Sequence, residues 1–187
     1  MIYLITDTHL YHDNIIKYCD RPFNHNSLIL RNLSTLKEDD VLIHLGDISF
    51  TKGGNIDLVD NIKCKERHLI RGNHDRFPDQ FYLDLGWETV NSKYKLLQVD
   101  TRLPYVIAFS HYPLTSTICP IRWKINIHGH FHNNPVSNDF YFEYKEILTH
   151  HHYLLCLENE EYKPVSLESC IKPFGISFRD EDTLWLN

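Results

Sequence analysis

The chain has 187 residues and a formal net charge of −6, with 42% hydrophobic and 24% charged residues. This composition is typical of an ordinary globular protein and excludes a disordered chain, and the negative charge argues against a broad basic surface for duplex nucleic acid. No apolar run reaches the roughly 18 residues of a membrane helix and the N-terminus has no signal-peptide pattern, so we expect neither a membrane span nor export.

Short apolar runs alternate with helical patterns in the first half of the chain. The runs predict buried strands, and leucines near one face of a 3.6-residue repeat predict helices. Asn55 is a candidate N-cap of the last of these helices. The alternation predicts parallel strands that are covered by helices. The predicted elements, in chain order, are a strand at 2–6, helices at 13–18 and 27–37, a strand at 41–45, a helix at 55–63 and a strand at 67–71.

The second half of the chain is richer in strands, with few helical patterns between them. We predict strands at residues 92–99, 105–110, 123–128 and 152–158. They indicate a second sheet that is mixed or antiparallel. We find no repeat and no change in composition along the chain. The prediction is therefore an α/β fold in one domain, residues 1–187, with two sheets packed face to face and helices outside.

The cysteines give information about the redox environment. The five of them are widely spaced and odd in number, and the sequence contains no CxxC pair. This pattern is not that of a disulfide framework or a zinc knuckle. Reduced thiols are typical of the cytosol, so we predict a cytoplasmic protein.

Acidic and imidazole side chains follow five of the predicted strands. In open α/β sheets, ligands bind outside the carboxyl ends of the strands. We therefore expect these five strand ends to meet at one rim, and each brings oxygen or nitrogen atoms that can bind a metal. The segments are Asp7-Thr8-His9, Gly46-Asp47, Gly72-Asn73-His74-Asp75, Ser110-His111 and Gly129-His130-Phe131-His132.

The types of donor atom in these segments narrow the choice of ion. They offer carboxylates, imidazoles and one amide, a mixture that suits manganese, iron, zinc or nickel better than calcium or magnesium. Their number exceeds that of one four-coordinate site and fits two ions, about 3.5–4 Å apart, bridged by a carboxylate. Residues two apart in an extended chain share a side, so Asp7 with His9, and His130 with His132, can point into one site. We predict two divalent ions, with manganese preferred.

The five segments, in this order and spacing, resemble the five blocks of the calcineurin-like metallophosphoesterases. The stretches THLYHDNIIKYCDRPF and CLENEEYKPVSL resemble the small single-domain branch found in bacteria and their phages. The resemblance implies a four-layer α/β/β/α sandwich of two mixed sheets flanked by helices.

The resemblance also implies a set of ligands for each ion. Asp47 would bridge the two ions, and His74 would stay off the metals and face the substrate. The first ion would be held by Asp7, His9, Asp47 and His132, and the second by Asp47, Asn73, His111 and His130.

Two further side chains are candidates for binding the substrate. The guanidinium of Arg21 suits a phosphate, although a salt bridge to Asp20 or another acid is an equal alternative. His12 is placed to contact the substrate or a metal-bound water, with a supporting or surface role as the alternative. His44 lies inside an apolar strand, which favours a hydrogen-bonded core histidine.

The function that follows is hydrolysis of a small phosphate ester, such as a nucleotide, by a hydroxide that bridges the two ions. His74 would protonate the leaving oxygen, and Asp75 would help to orient its ring. The short chain has no cap domain, which favours a phosphodiesterase over a phosphomonoesterase. A non-catalytic scaffold is the other alternative, but such domains tend to lose the histidine that is present here as His74. A phosphoprotein phosphatase is a third alternative. Such chains usually carry arginine-bearing motifs after the second block, and the sequence Ile48-Ser49-Phe50 departs from that pattern and argues against this class.

Overall fold

Two five-stranded β-sheets form the centre of the computed structural model, which describes residues 1–99, 104–133, 144–178 and 183–186. The first sheet has the order β4 (Thr89–Asn91), β3 (Glu66–Ile70), β2 (Val41–His44), β1 (Ile2–Ile5) and β9 (Val165–Ser166). The second sheet has the order β10 (Thr183–Leu186), β5 (Tyr94–Val99), β6 (Tyr105–Ser110), β7 (Ile125–His128) and β8 (His152–Leu154).

Both sheets are mixed, and each contains a parallel block that ends at one edge. In the first sheet β1 to β4 are parallel, with Ile5 opposite His44 and His44 opposite Leu69, whereas β9 is antiparallel to β1. In the second sheet β6, β7 and β8 are parallel, and β5 runs antiparallel to β6 and β10. The loops that follow β1, β2 and β3 therefore leave the sheet at the same edge, as do those after β6 and β7.

The main hydrophobic core lies between the two sheets. Alternate residues of a strand point to opposite faces, so each sheet presents one apolar face to the other. The fully buried side chains of this core include Leu4 and Ile43 from the first sheet and Ile107, Phe109 and Ile127 from the second. Burial of side chains of this size contributes roughly 1.5–3 kcal/mol each.

Three helices, His25–Leu33, Lys52–Asp60 and Asp79–Asp84, cover the outer face of the first sheet. Ile29, Leu33, Leu58 and Tyr82 of these helices pack with Leu42 and Leu69 of the sheet in a second apolar cluster. A further helix follows β9 directly and buries its apolar side chains in the core between the sheets. The helices are α1 (Asn14–Cys19), α2 (His25–Leu33), α3 (Lys52–Asp60), α4 (Asp79–Asp84) and α5 (Leu167–Ile171), which a 3₁₀-helix (Lys172–Phe174) follows.

The structure confirms the predicted α/β class with two mixed sheets and flanking helices, but it moves several boundaries. The helix predicted at 55–63 is Lys52–Asp60, and its N-cap is Thr51, whose Oγ1 accepts a hydrogen bond from the Gly54 amide at 3.0 Å. The predicted N-cap Asn55 lies inside this helix, where its side-chain amide donates to the Thr51 carbonyl. Five short elements, α4, β4, β9, α5 and β10, were not predicted from the sequence. In the part of the chain that is described, no helix is long and apolar enough to cross a membrane.

Candidate metal centre

The loops after five strands bring the seven predicted metal ligands together at the carboxyl edge of the sheets. Their donor atoms fall into two groups that meet at Asp47, as the distances below show. In the first donor group are Asp7 and His9 after β1 and His132 after β7. In the second donor group are Asn73 after β3, His111 after β6 and His130 after β7.

The first donor group surrounds one carboxylate oxygen of Asp7. His9 Nε2 lies 3.9 Å from Asp7 Oδ1, and His132 Nε2 lies 3.8 Å from the same atom. The other oxygen, Oδ2, accepts hydrogen bonds from the Thr6 hydroxyl at 2.6 Å and the His130 amide at 2.9 Å. Asp7 Oδ1 is buried and accepts no hydrogen bond from any described residue. The carboxylate is thus held by one oxygen while the other faces two imidazole nitrogens.

The second donor group is centred on the ring of His111. Its Nε2 atom lies 3.0 Å from His130 Nδ1 and 3.1 Å from Asn73 Oδ1. Its Nδ1 atom lies 2.8 Å from the carbonyl oxygen of Leu45, which orients the ring. The Tyr112 hydroxyl donates to Asn73 Oδ1 at 3.0 Å. One amide oxygen and two imidazole nitrogens therefore form this half of the centre, and the Leu45 carbonyl orients one of the rings.

Asp47 stands between the two donor groups. Its Oδ2 atom lies 3.5 Å from His9 Nε2 and 3.5 Å from His111 Nε2. Its Oδ1 atom accepts a hydrogen bond from the backbone amide of His74 at 2.8 Å. One carboxylate oxygen therefore faces both groups, a position from which a single oxygen can bridge two ions.

The spacing of these donor atoms fits divalent ions. Metal bonds to nitrogen and oxygen are about 2.0–2.2 Å long, so donors on one ion are roughly 3–3.5 Å apart. The pairs of donor atoms described above are 3.0 to 3.9 Å apart, and the nitrogen and carboxylate oxygen donors of Asp7, His9 and His132, like those of Asp47, His111 and His130, all lie within 4.8 Å of one another. A small adjustment of the longer distances therefore suffices for an ion in each donor group.

The charges of the centre also fit divalent ions. Burial raises the pKa of Asp47 to about 7. Burial acts to lower the pKa of His132, but the Asp7 and Glu158 carboxylates raise it to about 11. Burial likewise acts to raise the pKa of Asp7, which the imidazoles of His132 and His111 keep below its usual value. Bound cations would supply the positive charge that these buried carboxylates otherwise take from protons on the histidines.

Left-handed backbone conformations are concentrated at the predicted ligands. A positive φ is uncommon for residues other than glycine, and such strain clusters at functional sites. The loop after each strand must turn sharply to aim its side chain across the sheet edge. Five of the seven predicted ligands have a positive φ, namely Asp7 (49°), His9 (45°), Asp47 (59°), His130 (74°) and His132 (52°).

Two glycines let the loops after β2 and β3 approach each other. Gly46 has a φ of +99°, and a Cβ atom there would collide with the backbone of Gly72. A Cβ atom on Gly72 would in turn collide with the Asp47 carboxylate. The Gly-Asp and Gly-Asn-His segments therefore depend on glycine because the backbones touch.

Asp75 joins the same two loops, which corrects its predicted role. Its Oδ2 atom accepts hydrogen bonds from the Asp47 amide at 2.7 Å and the Gly72 amide at 2.8 Å, and Oδ1 accepts from the Ile48 amide at 3.0 Å. The carboxylate is therefore committed to backbone amides instead of to the His74 ring, which the prediction had it orient. Asp75 is a buried brace between the loop that carries Asp47 and the loop that carries Asn73.

Replacing Asp75 by alanine is expected to destabilise the protein strongly. The change leaves two buried backbone amides and one partly buried amide without an acceptor, at about 1–3 kcal/mol each, so a loss on the order of 3–5 kcal/mol is expected. Denaturant unfolding of the metal-free protein measures it. Asp79→Ala, which removes an exposed carboxylate paired with Arg71, is the control and should change stability by about 1 kcal/mol or less. Equal stability of the two variants would contradict the bracing role.

Arg21 is not in the cavity, and the prediction that it binds substrate phosphate is wrong. Its side chain is 0% exposed and forms an ion pair with Glu158 at 2.6 Å. It also donates to the backbone carbonyl oxygens of Thr8 at 2.9 Å and Asp7 at 2.7 Å. The alternative of a salt bridge is the correct one, although the partner is Glu158 and not the neighbouring Asp20.

Glu158 is the buried side chain beside the centre that the sequence analysis missed. It lies in the loop after β8, and its Oε1 atom lies 2.9 Å from His132 Nδ1. The predicted strand, 152–158, extends beyond the observed end and includes Glu158. This residue was therefore not recognised as an acid that follows a strand. With the observed end at Leu154, the rule that found the other segments would also have directed attention to this loop.

The centre opens into a cavity of about 660 Å³. His74, whose side chain is 27% exposed, lies at this cavity with Nε2 3.9 Å from Asp47 Oδ2. The Phe50 ring packs between His74, at 4.3 Å between ring centroids, and His12, at 4.5 Å. Burial and the Arg76 guanidinium lower the pKa of His74 to about 4. The two predicted non-metal histidines therefore line the cavity beside the centre, where Lys17 and Tyr18 also contribute to the wall.

His44 lies away from the donor groups, inside the protein. Its Nε2 atom lies 3.1 Å from the Thr8 hydroxyl, and its Nδ1 atom accepts a hydrogen bond from the Gly46 amide at 3.1 Å. Burial lowers the pKa of His44 to about 3. It is a neutral core histidine, as its place in an apolar strand predicted.

Comparison with known proteins identifies the family. Residues 1–178 match the calcineurin-like phosphoesterases, and the chain therefore belongs to this family. An uncharacterized protein of Methanocaldococcus jannaschii is 30% identical over 178 residues, which are 91% of this chain and 89% of the relative. A protein of unknown function from Aquifex aeolicus, with a crystal structure, is 27% identical with a TM-score of 0.70, over 92% of this chain and 98% of that one. The family assignment supports a metal-dependent phosphoesterase.

Proposed function

We propose that the protein is a dinuclear metal-dependent phosphodiesterase that acts on a nucleotide or another small phosphodiester. The observation that carries the proposal is the position of Asp47 Oδ2, at 3.5 Å from an imidazole of each donor group, on the floor of an open cavity. Family membership supports hydrolysis of a phosphate ester. The donor set of imidazole, carboxylate and amide supports manganese, with iron, nickel and zinc as the other candidates.

Cavities on both sides of the centre favour a diester over a monoester. The larger one borders the first donor group and His130 of the second, and has Phe50, Tyr18 and Lys17 in its wall. A second cavity of about 310 Å³ borders His111 and Tyr112, with Arg71 and Lys93 in its wall. A diester has two substituents on its phosphorus, and each cavity can take one of them. The aromatic rings at both sides suit a base, and Lys17 and Lys93 suit a further phosphate.

The residues of the chain would divide the work of the reaction. When bound, two divalent ions polarise the phosphoryl oxygens and favour deprotonation of the attacking water. Asp7, His9, Asp47, Asn73, His111, His130 and His132 would hold the ions. His74 would give a proton to the leaving oxygen, because its ring borders both the centre and the cavity. An anionic substrate beside the ring would favour its protonated form, against the effect of burial. His12 would contact the substrate from the wall of the cavity, where its ring packs against Phe50.

A panel of phosphate esters tests the proposal. The purified chain is freed of metal with a chelator, reloaded in turn with manganese, nickel, zinc and magnesium, and assayed on 4-nitrophenyl esters, a cyclic nucleotide and a dinucleotide. We expect metal-dependent turnover, highest with manganese, and a kcat/KM for diesters at least about tenfold above that for monoesters, which corresponds to about 1.4 kcal/mol. Faster hydrolysis of monoesters would contradict the diesterase proposal. Absence of turnover with two bound ions would reject a catalytic function.

The cysteines support a place in the cytosol. All five are free and buried in the described part of the chain. Buried reduced thiols are typical of cytosolic proteins, whereas secreted proteins use such residues in disulfides. We therefore propose a cytoplasmic enzyme with a small phosphate ester as its partner. The net charge of −6 makes duplex nucleic acid an unfavourable substrate.

A further inference from the structure

A buried ion pair lies directly behind the first donor group. Arg21 Nε and Nη2 donate to Glu158 Oε1 at 2.8 and 2.6 Å, and the two side chains are 0% and 3% exposed. The same carboxylate oxygen lies 2.9 Å from His132 Nδ1. The Cys156 thiol donates to the other oxygen, Oε2, at 3.2 Å. One carboxylate therefore holds both the guanidinium and the ring of a predicted metal ligand.

The arginine extends this ion pair to the other side of the first donor group. Its Nη2 donates to the Asp7 carbonyl at 2.7 Å, and its Nη1 donates to the Thr8 carbonyl at 2.9 Å. These bonds fix the backbone at the point where Asp7 has a φ of 49°. The ion pair thus connects the loop after β1, the loop after β7 and the loop after β8.

The contact with Glu158 also decides which nitrogen of His132 can bind an ion. A ring nitrogen that faces a carboxylate at hydrogen-bond distance carries the proton, which leaves the lone pair on the other nitrogen. In His132 that other nitrogen is Nε2, which lies 3.8 Å from Asp7 Oδ1. In the second donor group the His111 ring is oriented by the backbone carbonyl of Leu45, at 2.8 Å. In the described part of the chain, the direct hydrogen bonds of the Arg21–Glu158 pair to predicted ligands are therefore to Asp7 and His132 of the first donor group.

We propose that Glu158, together with Arg21, is a positioning residue for the ion of the first donor group. Glu158 holds the His132 ring with Nε2 turned towards Asp7, and Arg21 holds the Asp7 backbone. The proposal rests on the dinuclear centre of the proposed function. Loss of such a partner of a metal-binding histidine lowers metal affinity about 10- to 100-fold.

Manganese titration of the Glu158→Gln variant tests this role. We expect calorimetry on the metal-free chain to show two binding events, which the His132→Ala and Asn73→Ala variants would assign to the first and second donor groups. We expect Glu158→Gln to weaken the first event about 10- to 100-fold and to leave the second unchanged. Glu161→Gln is the matched control, because Glu161 is exposed in the same loop and pairs with Lys163. It should bind both ions as the unaltered chain does.

A double variant separates positioning from simple stability. Arg21→Met with Glu158→Leu removes both charges, and such replacement of a buried ion pair is often neutral or stabilising. We expect a metal-free thermal midpoint close to that of the unaltered chain, with the first binding event still weakened. Normal affinity for both ions in either variant, or an equal loss at both ions, would overturn the proposal. Absence of turnover in an unaltered chain with two ions would reject the proposed function and leave the positioning role intact.

Discussion

Replacing Asp47 by asparagine is expected to remove at least one ion and nearly all activity. The amide keeps the size of the side chain and can still accept the hydrogen bond from the His74 backbone. It lacks the negative charge that the side chain needs to bind two ions. In the unaltered chain that charge lies on an oxygen 3.5 Å from an imidazole nitrogen of each donor group. Loss of the ions removes several kcal/mol of transition-state stabilisation, so a fall in kcat/KM on the order of 10³-fold or more is expected. Elemental analysis and hydrolysis of an aryl phosphodiester measure the two effects.

The stability of the metal-free Asp47→Asn variant shows whether ions and activity are lost because a metal ligand is missing or because the protein unfolds. Burial raises the pKa of Asp47 to about 7, so between pH 4 and 7 the unfolded chain releases this proton more easily than the folded chain. The ionised carboxylate therefore lowers stability in the absence of metal as the pH rises. The asparagine variant should be at least as stable at pH 7. The exposed Asp60→Asn change is the control and should retain two ions. Two ions bound to Asp47→Asn would contradict the bridging assignment.

Replacing His74 by alanine is expected to leave both ions in place and to slow the hydrolysis of esters with poor leaving groups. General acid catalysis contributes about 10²- to 10⁴-fold, and a nucleoside leaving group needs the proton that the ring supplies. A 4-nitrophenyl group needs this help much less, so the two substrates should differ in their loss. The measurement is kcat/KM over a series of diesters with leaving groups of increasing basicity. The slope against basicity should be steeper for the variant than for the unaltered chain.

Two further variants sharpen the test of His74. Glutamine donates a hydrogen bond but transfers no proton, so His74→Gln should be as slow as His74→Ala on poor leaving groups. His150→Ala removes an exposed histidine and should leave all rates unchanged. An equal loss on all leaving groups would show that His74 binds the substrate instead of protonating it. Loss of an ion in His74→Ala would place the ring among the metal ligands.

The position of the candidate metal centre could be predicted because its signals are local in sequence. Asp7, Asp47 and Asn73 each follow a short apolar run within three residues. Parallel strands bring their carboxyl ends to one edge, so the rule that ligands gather there needs no knowledge of other contacts. The type of each donor atom is equally visible in the sequence. The structure brings these side chains together at that edge, and their binding of two ions stays a prediction.

The short elements were harder to predict. Helix α4 has six residues and strand β4 has three, which is too few for a clear hydrophobic period. Their formation depends on burial of Tyr82 and Trp87 in the cluster outside the first sheet. The start of α3 was also predicted too late. Thr51 caps this helix four residues before the predicted cap, Asn55.

The roles of Arg21, Asp75 and Glu158 were decided by tertiary contacts alone. The sequence shows that each side chain is charged, but not which partner it meets. Arg21 pairs with a residue 137 positions away, and Asp75 accepts from amides near Asp47, 27 and 28 positions away. Burial turns such charges into fixed ion pairs and hydrogen bonds, because an unpaired charge inside the protein is very unfavourable. Residue type and strand ends thus determined where the donor atoms would gather. The packing of distant loops determined which charges face the cavity and which hold the centre from behind.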